Sequence, residues 1–373
     1  MSPNLPGRRT ERRSLRLWPV GTALGLAFLA AIAVAAGVFF AGWRLLGAQG
    51  LTPEHRLTSE TLFDLVKLSF GVVAGAGALV ALVVAYRRQR VDEDGALRDA
   101  TRLHTERFAT AVSQLGEESA AVQLGGVHGL AALADDAPTR DLRQTCIDVL
   151  CAYLRLPYTA EADLPSGDGG AWRAYLALRE VRHTVIRLIR DRLRLPGGHP
   201  QTWQGHDLDF TGVVFDGGDF SRARFTDGLI SFAAARFTGG AVLFDETLWS
   251  GQVDFTDVQF SGQVSFMNAT FAGGEINFLR ARFESACEVH FEAAQFLGGA
   301  VRFVNTHFAG GDVAFNGASF MSSEVHFDHA YFTGSIVDFR GALGPAPGGL
   351  VPSNGQPLPI DLHLPQHWYP ATP

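Results

Sequence analysis

A twelve-residue repeat of phenylalanines constrains this chain more than any other feature of its sequence. In the run from Phe296 to Phe339 the phenylalanines are spaced alternately by seven and by five, so that Phe303, Phe315 and Phe327 are each twelve residues apart. A fixed period of this kind indicates one supersecondary unit that is stacked many times. The period therefore predicts a solenoid.

A small or aliphatic residue lies two positions before nearly every phenylalanine, as Val301 does before Phe303. Alternate residues of a strand point to the same face, so we expect both members of each pair to point inward. Glycine pairs such as Gly273-Gly274 and Gly298-Gly299 recur where the chain must turn sharply. Because one unit cannot bury its own phenylalanine, successive coils must stack through backbone hydrogen bonds. This predicts a β-solenoid over residues 203–340.

The motif small-x-Phe-x-x, as in Ala223-Arg-Phe225-Thr-Asp and Ala269-Thr-Phe271-Ala-Gly, resembles that of the pentapeptide-repeat proteins. The resemblance implies a right-handed quadrilateral β-helix with four faces in each coil. Strict five-residue spacing holds from Phe210 to Phe225, and beyond it two extra residues enter at alternate corners, which leaves the cross-section open. With four faces per coil, the 23 central aromatic positions give about six coils. Phe303 is then expected to stack on Phe327, and Phe315 on Phe339.

Two apolar segments near the start of the chain predict a transmembrane hairpin. A basic arm at 1–16 precedes an uncharged segment at 17–43, which is long enough to span a bilayer. A short external loop at 44–64 leads to a second apolar segment at 65–86. A secretory signal is the alternative for the first segment, but the apolar core of such a signal is far shorter. The flanking basic residues predict that both termini and the β-helix lie on the cytoplasmic side of the cytoplasmic membrane.

Residues 92–158 have the three- and four-residue apolar spacing of helices and predict a helical module. The phrase from Phe108 to Ala134 resembles a module found in bacterial membrane proteins ahead of pentapeptide repeats. Gly125-Gly126 and Gly129 are interpreted as positions of close helix packing. A phosphate-binding loop is not indicated, because no strand precedes these glycines and no Lys-Ser/Thr pair follows them.

A basic helix is predicted at 172–195, directly before the first coil. Its arginines are consistent with either a solvated face beside the acidic solenoid or contact with anionic lipid. The position of the helix favours a cap, since a stack of coils needs one at its open edge. The arginines concerned are Arg179, Arg182, Arg187, Arg190, Arg192 and Arg194.

The tail at 341–373 is rich in proline, which predicts that it cannot continue a sheet. Two alternatives remain for it. It is disordered, or it folds over the last coil through apolar residues. Those residues are Ile360, Leu362, Leu364, Trp368 and Tyr369.

Charge is distributed unevenly along the chain. Residues 203–340 carry 17 acidic residues against 7 arginines, whereas residues 1–202 carry 24 basic and 20 acidic residues. Because phosphate contacts demand a basic surface, direct nucleic-acid binding by the solenoid is not expected. An acidic rod suits a basic protein partner.

The histidines and carboxylates of the repeat do not predict a catalytic or metal site. Four histidines are expected at outward or corner positions and are interpreted as scattered surface residues: His290, His307, His326 and His329. His290 and His326 lie three periods apart and are expected on related faces, yet a metal site needs a closer set of ligands. Carboxylates such as Asp254 and Asp257 are interpreted as part of the solvated coil surface.

The remaining chemical signals point away from an enzyme. Cys146, Cys151 and Cys287 have no metal-ligand spacing and are interpreted as reduced thiols. The sequence contains no nucleophile elbow, Walker loop, zinc motif or dinucleotide fingerprint. No catalytic, cofactor-binding or metal-binding residue and no cofactor are therefore predicted.

The sequence as a whole predicts a membrane-anchored, non-enzymatic scaffold that presents an acidic β-helix to a protein partner. The alternative belongs to a different class. Some pentapeptide-repeat proteins mimic DNA and act on topoisomerases, and this resemblance implies a DNA-mimic regulator that works through the acidic solenoid.

Overall fold

The computed structural model describes residues 59–321, 324–351 and 358–369, together with eleven helical positions between Gly25 and Arg44. The basic arm at 1–16, most of the predicted first span and the loop up to residue 58 lie outside the described residues. The chain divides into two compact units, Met1–Asp99 and Ala100–Pro373.

Helix α1 extends over Ser59–Leu115 and is 57 residues long. Its stretch from Leu62 is the one part of the described chain that is long and apolar enough, by length and composition alone, to cross a membrane. The predicted two-helix hairpin is not confirmed, because a second such helix is not found among the described positions. The sequence assigned the span at 65–86 and the helices from residue 92 to separate domains. The structure joins them in one helix, since no proline interrupts this stretch.

The rest of the predicted helical module consists of α2 (Ala120–Asp135) and α3 (Arg140–Arg155), which pack on α4 (Gly169–Leu193). Thr139 caps α3 by accepting a hydrogen bond from the Leu142 N–H, and Asp168 caps α4 in the same way. A Cβ atom added at Gly126 would lie 2.7 Å from the Ala111 carbonyl oxygen. The interpretation of close helix packing at Gly126 is thus confirmed. A short 3₁₀ helix, Glu161–Asp163, connects α3 to α4.

Twenty-four short parallel strands follow in the described chain, and they form four sheets. Sheet A contains β1 (Leu208–Asp209), β5 (Leu229–Ser231), β9 (Gln252–Asp254), β13 (Glu275–Asn277), β17 (Ala300–Arg302) and β21 (Glu324–His326). Sheet B contains β2 (Val214–Phe215), β6 (Arg236–Phe237), β10 (Gln259–Phe260), β14 (Arg282–Phe283), β18 (His307–Phe308) and β22 (Tyr331–Phe332). Sheet C contains β3 (Gly218–Asp219), β7 (Val242–Leu243), β11 (Gln263–Ser265), β15 (Glu288–His290), β19 (Asp312–Ala314), β23 (Ile336–Asp338) and β24 (Leu362–His363). Sheet D contains β4 (Arg224–Phe225), β8 (Leu248–Trp249), β12 (Thr270–Phe271), β16 (Gln295–Phe296) and β20 (Ser319–Phe320).

Each coil passes through sheets A, B, C and D in turn, and the stack has about six coils, as expected. The four sheets show that each coil has four faces in cross-section. Coil length is not constant, because the step from Leu208 to its partner Ile230 is shorter than the step from Ile276 to its partner Val301. The length expected from two twelve-residue units is found where Val301 pairs with Val325.

The corners explain this variation. They confirm that extra residues enter at alternate corners, but the number of extra residues varies and is not always the expected two. Central aromatic residues are always five apart across the corners from sheet A to B and from sheet C to D. At most of these tight corners the residue two after the phenylalanine has a positive φ, as in Asn268 and Asn305, with φ of 56° and 53°. Asparagine tolerates this region better than most residues. The other two corners accept a variable number of residues and hold the glycine pairs.

The interior of the coils is a set of stacked aromatic columns. The rings of Phe303 and Phe327 are 4.7 Å apart between centroids, and those of Phe315 and Phe339 are 4.6 Å apart, which confirms both expected stacks. The small residues two before each phenylalanine are buried beside them, with Ala330 only partly so. The core of the solenoid is therefore largely apolar, and the buried Thr247 and Thr306 donate hydrogen bonds to the Phe244 and Phe278 carbonyls.

Helices α3 and α4 cover the first coil, whose backbone carbonyls have no preceding coil to bond. Side chains of the two helices provide the donors: Gln144 to the Asp207 O (2.8 Å), Arg155 to the Asp209 O (2.9 Å), Arg182 to the Val214 O (2.8 Å) and Arg194 to the Ser221 O (2.6 Å). Arg190 also forms an ion pair with Asp219. Arg192 also forms an ion pair, with Asp135. Four arginines of the predicted basic helix therefore bind other groups of the protein: Arg182, Arg190, Arg192 and Arg194. The lipid-contact alternative is wrong for these four.

The last coil is covered by the tail, and one prediction about this tail is wrong. Strand β24 pairs in parallel with β23 and extends sheet C, so the proline-rich tail does continue a sheet. It can do so because Pro359 and Pro365 flank the two-residue strand and leave its N–H groups intact. Trp368, in the 3₁₀ helix Gln366–Trp368, packs on Phe339 with 5.6 Å between ring centroids. Leu362 and Leu364 are buried, whereas Ile360 and Tyr369 are exposed.

Candidate functional site

The outward faces of the solenoid differ in charge. Sheets A and C carry carboxylates within their strands, whereas the strands of sheets B and D contain none. Chain order around the coil places A opposite C and B opposite D. The strand carboxylates are Asp209, Asp254, Glu275 and Glu324 in sheet A, and Asp219, Glu288, Asp312 and Asp338 in sheet C.

Several of these carboxylates also have a structural role. The side chain before a central phenylalanine accepts a hydrogen bond from the N–H two residues after it, as Asp254 does from Thr256 at 2.9 Å. Asp257 instead binds Arg280 of the next coil through two hydrogen bonds of 2.7 and 2.6 Å. Both carboxylates are thus engaged in hydrogen bonds within the solenoid. Burial alone would raise the pKa of Asp338, but hydrogen bonds from Arg340 and Asn316 lower it to about 2.

The arginines of the solenoid fall into two groups. Four form ion pairs with a carboxylate: Arg222 with Glu246, Arg280 with Asp257, Arg302 with Glu275 and Arg340 with Asp338. Three exposed arginines, Arg224, Arg236 and Arg282, form none with any residue that the structure describes. Two of these three lie in sheet B.

The four histidines lie outward or at corners, as expected, but they do not come together. His290 is in sheet C and His326 is in sheet A, so the expectation of related faces is wrong, although both occupy the position before a phenylalanine. Their Nδ1 atoms lie 3.1 Å from Glu292 and 3.3 Å from Asp328. Within the described ranges, no group of three or more His, Cys, Asp or Glu side chains could hold a metal ion.

A buried polar cluster between the helices and the first coil was not predicted. Asp216 is 4% exposed and accepts hydrogen bonds from the hydroxyl groups of Tyr175 (2.6 Å) and Tyr158 (3.3 Å) and from the N–H of Glu161 (3.1 Å). Burial alone would raise the pKa of Asp216, but these hydrogen bonds bring it below its ordinary value. Burial and the neighbouring carboxylate raise the pKa of both tyrosines. The cluster thus holds one anion and two neutral hydroxyl groups.

Arg182 completes this cluster from the side of α4. It is 5% exposed, lies 4.2 Å over the ring of Tyr158, and donates to the Leu154 carbonyl at the end of α3 and to the Val214 carbonyl of the first coil. A cation at a helix C-terminus is stabilised by the helix dipole. Arg182 therefore ties α3 and α4 to the coil, and the cluster anchors the helices to the solenoid.

Residues 244–290 match a family model described as pentapeptide repeats (9 copies). The matched residues lie in the middle of the stack, where each turn passes through the four sheets. This part of the solenoid is therefore similar to pentapeptide repeats. No curated protein matches the chain. The match covers the middle coils and leaves the helical module outside it.

The thiols of the chain are unreactive in this fold. Cys287 is buried in the β-solenoid, while Cys146 and Cys151 are buried in α3, and all three are free. Burial raises the pKa of the Cys146 thiol to about 11 and those of Cys151 and Cys287 to about 12. Because the thiolate is the nucleophile, these side chains do not offer one near neutral pH.

Proposed function

We propose that the protein is a membrane-anchored, non-enzymatic scaffold whose pentapeptide-repeat β-helix presents acidic faces to a protein partner. The observation that carries the proposal is the placement of strand carboxylates on the two opposite sheets A and C. Neighbouring coils in a sheet are about 4.8 Å apart, so carboxylates on adjacent strands, such as Glu288 and Asp312, form closely spaced fixed charges. Such a surface fits a basic partner through charge complementarity, which determines specificity and association rate.

Membrane anchoring is proposed from α1 together with the apolar segment at 17–43. Phe63, Leu68, Phe70 and Leu82 on α1 are each more than half exposed, and a bilayer would cover them. Basic residues follow the apolar stretch at 87–90. The positive-inside rule then favours a cytoplasmic β-helix and two cytoplasmic termini on a multi-pass protein. We also propose that the coil is right-handed, as the similarity to pentapeptide repeats implies.

Membrane fractionation with protease protection tests this anchoring. The protein should stay in the membrane after alkaline carbonate washing, and the β-helix should be cut only once the cell membrane is opened. A protein that the wash releases, or a β-helix that external protease removes from intact cells, would contradict the proposal.

The partner surface is tested by reversing charge on one acidic face. Glu288 and Asp312 are exposed neighbours on adjacent strands of sheet C. The double variant Glu288→Lys with Asp312→Lys should abolish crosslinking to the partner in native membranes. Thr270→Lys with Gln295→Lys places two lysines on adjacent strands of sheet D, controls for the added lysines, and should keep the crosslink. Equal crosslinking by both variants would exclude sheet C as the contact face.

The DNA-mimic alternative rests on the acidity of the rod as a whole. It is less well supported, because sheet B carries exposed arginines where a duplex would present phosphates. Inhibition of gyrase supercoiling by the full-length protein in detergent would favour this alternative over the scaffold.

A further inference from the structure

Sheet B carries a straight outward column of polar and aromatic side chains. Strand pairing places Arg236, Gln259, Arg282, His307 and Tyr331 in register on five successive coils. All five are exposed, and we call them the sheet B column. At about 4.8 Å per coil, the column is roughly 19 Å long. An extended peptide of about six residues has the same length.

The two guanidinium groups of the column are available to an outside ligand. Arg236 and Arg282 form no ion pair within the described part of the chain. Asp257 is near enough for the charge of Arg282 to lower its pKa, but hydrogen bonds from Arg280 are the larger cause and occupy both of its oxygens. Exposed guanidinium groups bind carboxylates in a bidentate manner.

The C-terminal end of the column offers a different contact. The rings of His307 and Tyr331 stack with 4.8 Å between centroids, and Tyr331 remains 51% exposed. A flat aromatic surface with a polar tip is typical of residues that anchor a bound peptide. The column thus combines two cationic positions with one aromatic end.

We propose that the sheet B column binds a short, extended, carboxylate-rich segment of a partner protein. This deepens the proposed scaffold function and rests on it, since it assigns a second class of contact to another face of the same rod. The carboxylates of the segment lie on Arg236 and Arg282, and its apolar side chains lie on Tyr331.

The charge of the flanking sheets selects a narrow ligand. Sheets A and C adjoin sheet B along the whole stack and carry the strand carboxylates. A bilayer or a nucleic-acid duplex is wide enough to meet those carboxylates as well, and the negative field of the solenoid opposes its approach. A single extended segment is narrow enough to lie on sheet B between the carboxylates of sheets A and C. The screening length of about 8 Å at physiological salt keeps the contact local.

Binding of a labelled peptide to the full-length protein in detergent tests the proposal. The probe is a synthetic peptide of alternating Glu and Ser with one Leu at an end. Arg282→Glu should weaken its binding about tenfold, and adding Arg236→Glu should weaken it further. Arg224→Glu makes the same charge change at the equivalent position of sheet D and should alter the Kd less than about twofold.

The outcomes separate this inference from the proposed function. A peptide of alternating Lys and Ser serves as a second probe, for the acidic faces. If only the Lys peptide binds, the column inference fails and the scaffold proposal stands, whereas failure of both peptides overturns both. Equal weakening by Arg282→Glu and Arg224→Glu overturns the inference, because the effect is then one of net charge. Displacement of the Glu peptide by millimolar inorganic phosphate, or preferred binding to vesicles with anionic lipid, also overturns it.

Discussion

The core of the solenoid and the junction between the helices and the first coil are built on opposite principles. In the core, the phenylalanine rings of successive coils stack at 4.6 to 5.1 Å, as in Phe291 on Phe315, and the inward residues are apolar apart from hydrogen-bonded threonines such as Thr247 and Thr306. At the junction, Asp216, Arg182 and His206 are buried and hydrogen-bonded. A coil within the stack receives backbone partners from both neighbours, whereas the first coil has a neighbour on one side only. The junction therefore needs side-chain donors, and burying them makes it sensitive to charge.

The largest expected loss of stability comes from a substitution that opens a cavity in the core. Phe315 is fully buried and stacks on Phe291 and Phe339. Phe315→Ala should lower the free energy of unfolding by about 3–5 kcal/mol. Chemical denaturation of the full-length protein in detergent measures the change. Met267→Ala, at an exposed position of the same solenoid, is the control and should change it by less than about 0.5 kcal/mol. Similar values for the two variants would contradict an inward aromatic column.

Removal of the buried carboxylate tests the junction. Asp216→Ala should cost roughly 2–4 kcal/mol, because two tyrosine hydroxyls and the Glu161 N–H lose their acceptor inside the protein. Hydrogen exchange should show the loss in α4 and in the first coil, with the later coils still protected. Asp254→Ala removes a less buried carboxylate of sheet A and should leave α4 unchanged. Uniform loss of protection throughout the solenoid would mean that junction and core unfold as one unit.

A change of pH should separate the two regions without any mutation. Burial, together with the charges of Arg140 and Arg143, lowers the pKa of His206 to about 4. The charge of Asp207 acts in the opposite direction and raises this pKa. The folded state thus favours neutral His206. The contribution of neutral His206 to the free energy of unfolding is complete above the unfolded pKa of about 6.5. It declines by about 1.4 kcal/mol per pH unit as the pH falls from there toward about 4. Burial also lowers the pKa of His183, so His183 acts in the same direction.

Hydrogen exchange at pH 7 and pH 5 measures this difference. Protection of α3 and α4 should fall at pH 5, while that of the middle coils should stay the same. His206→Gln keeps a hydrogen-bonding side chain beside Gln144 and should reduce the pH dependence. A junction that is equally protected at both pH values would contradict a neutral buried histidine.

The same comparison explains what could be predicted from the sequence. The stacking of Phe303 on Phe327 and the insertions at alternate corners follow from the spacing of one residue type, because a repeat imposes the same contacts on every coil. The Asp216 cluster occurs once, and its partners Tyr158 and Tyr175 are distant in the chain. Its only signal in sequence is an aspartate directly after Phe215, and that signal is weak because a later coil has Glu284 at the equivalent position. The sheet B column was missed because the unequal lengths of the coils hide which side chains align.

The smallest expected effect extends the comparison to the corners, which belong to neither the core nor the junction. Ala293 is exposed at a tight corner and has a φ of 55°, where an L-residue is strained, whereas its neighbour Ala294 is buried in the core. Ala293→Gly should stabilise the solenoid by about 0.5–1 kcal/mol, since relief of this strain exceeds the added flexibility of the unfolded chain. Ala294→Gly makes the same chemical change at a position without positive φ and should destabilise it by about 1 kcal/mol. Denaturation midpoints of the two variants should therefore move in opposite directions. Shifts of the same sign would show that the corner is not strained and that glycine acts there through the unfolded chain alone.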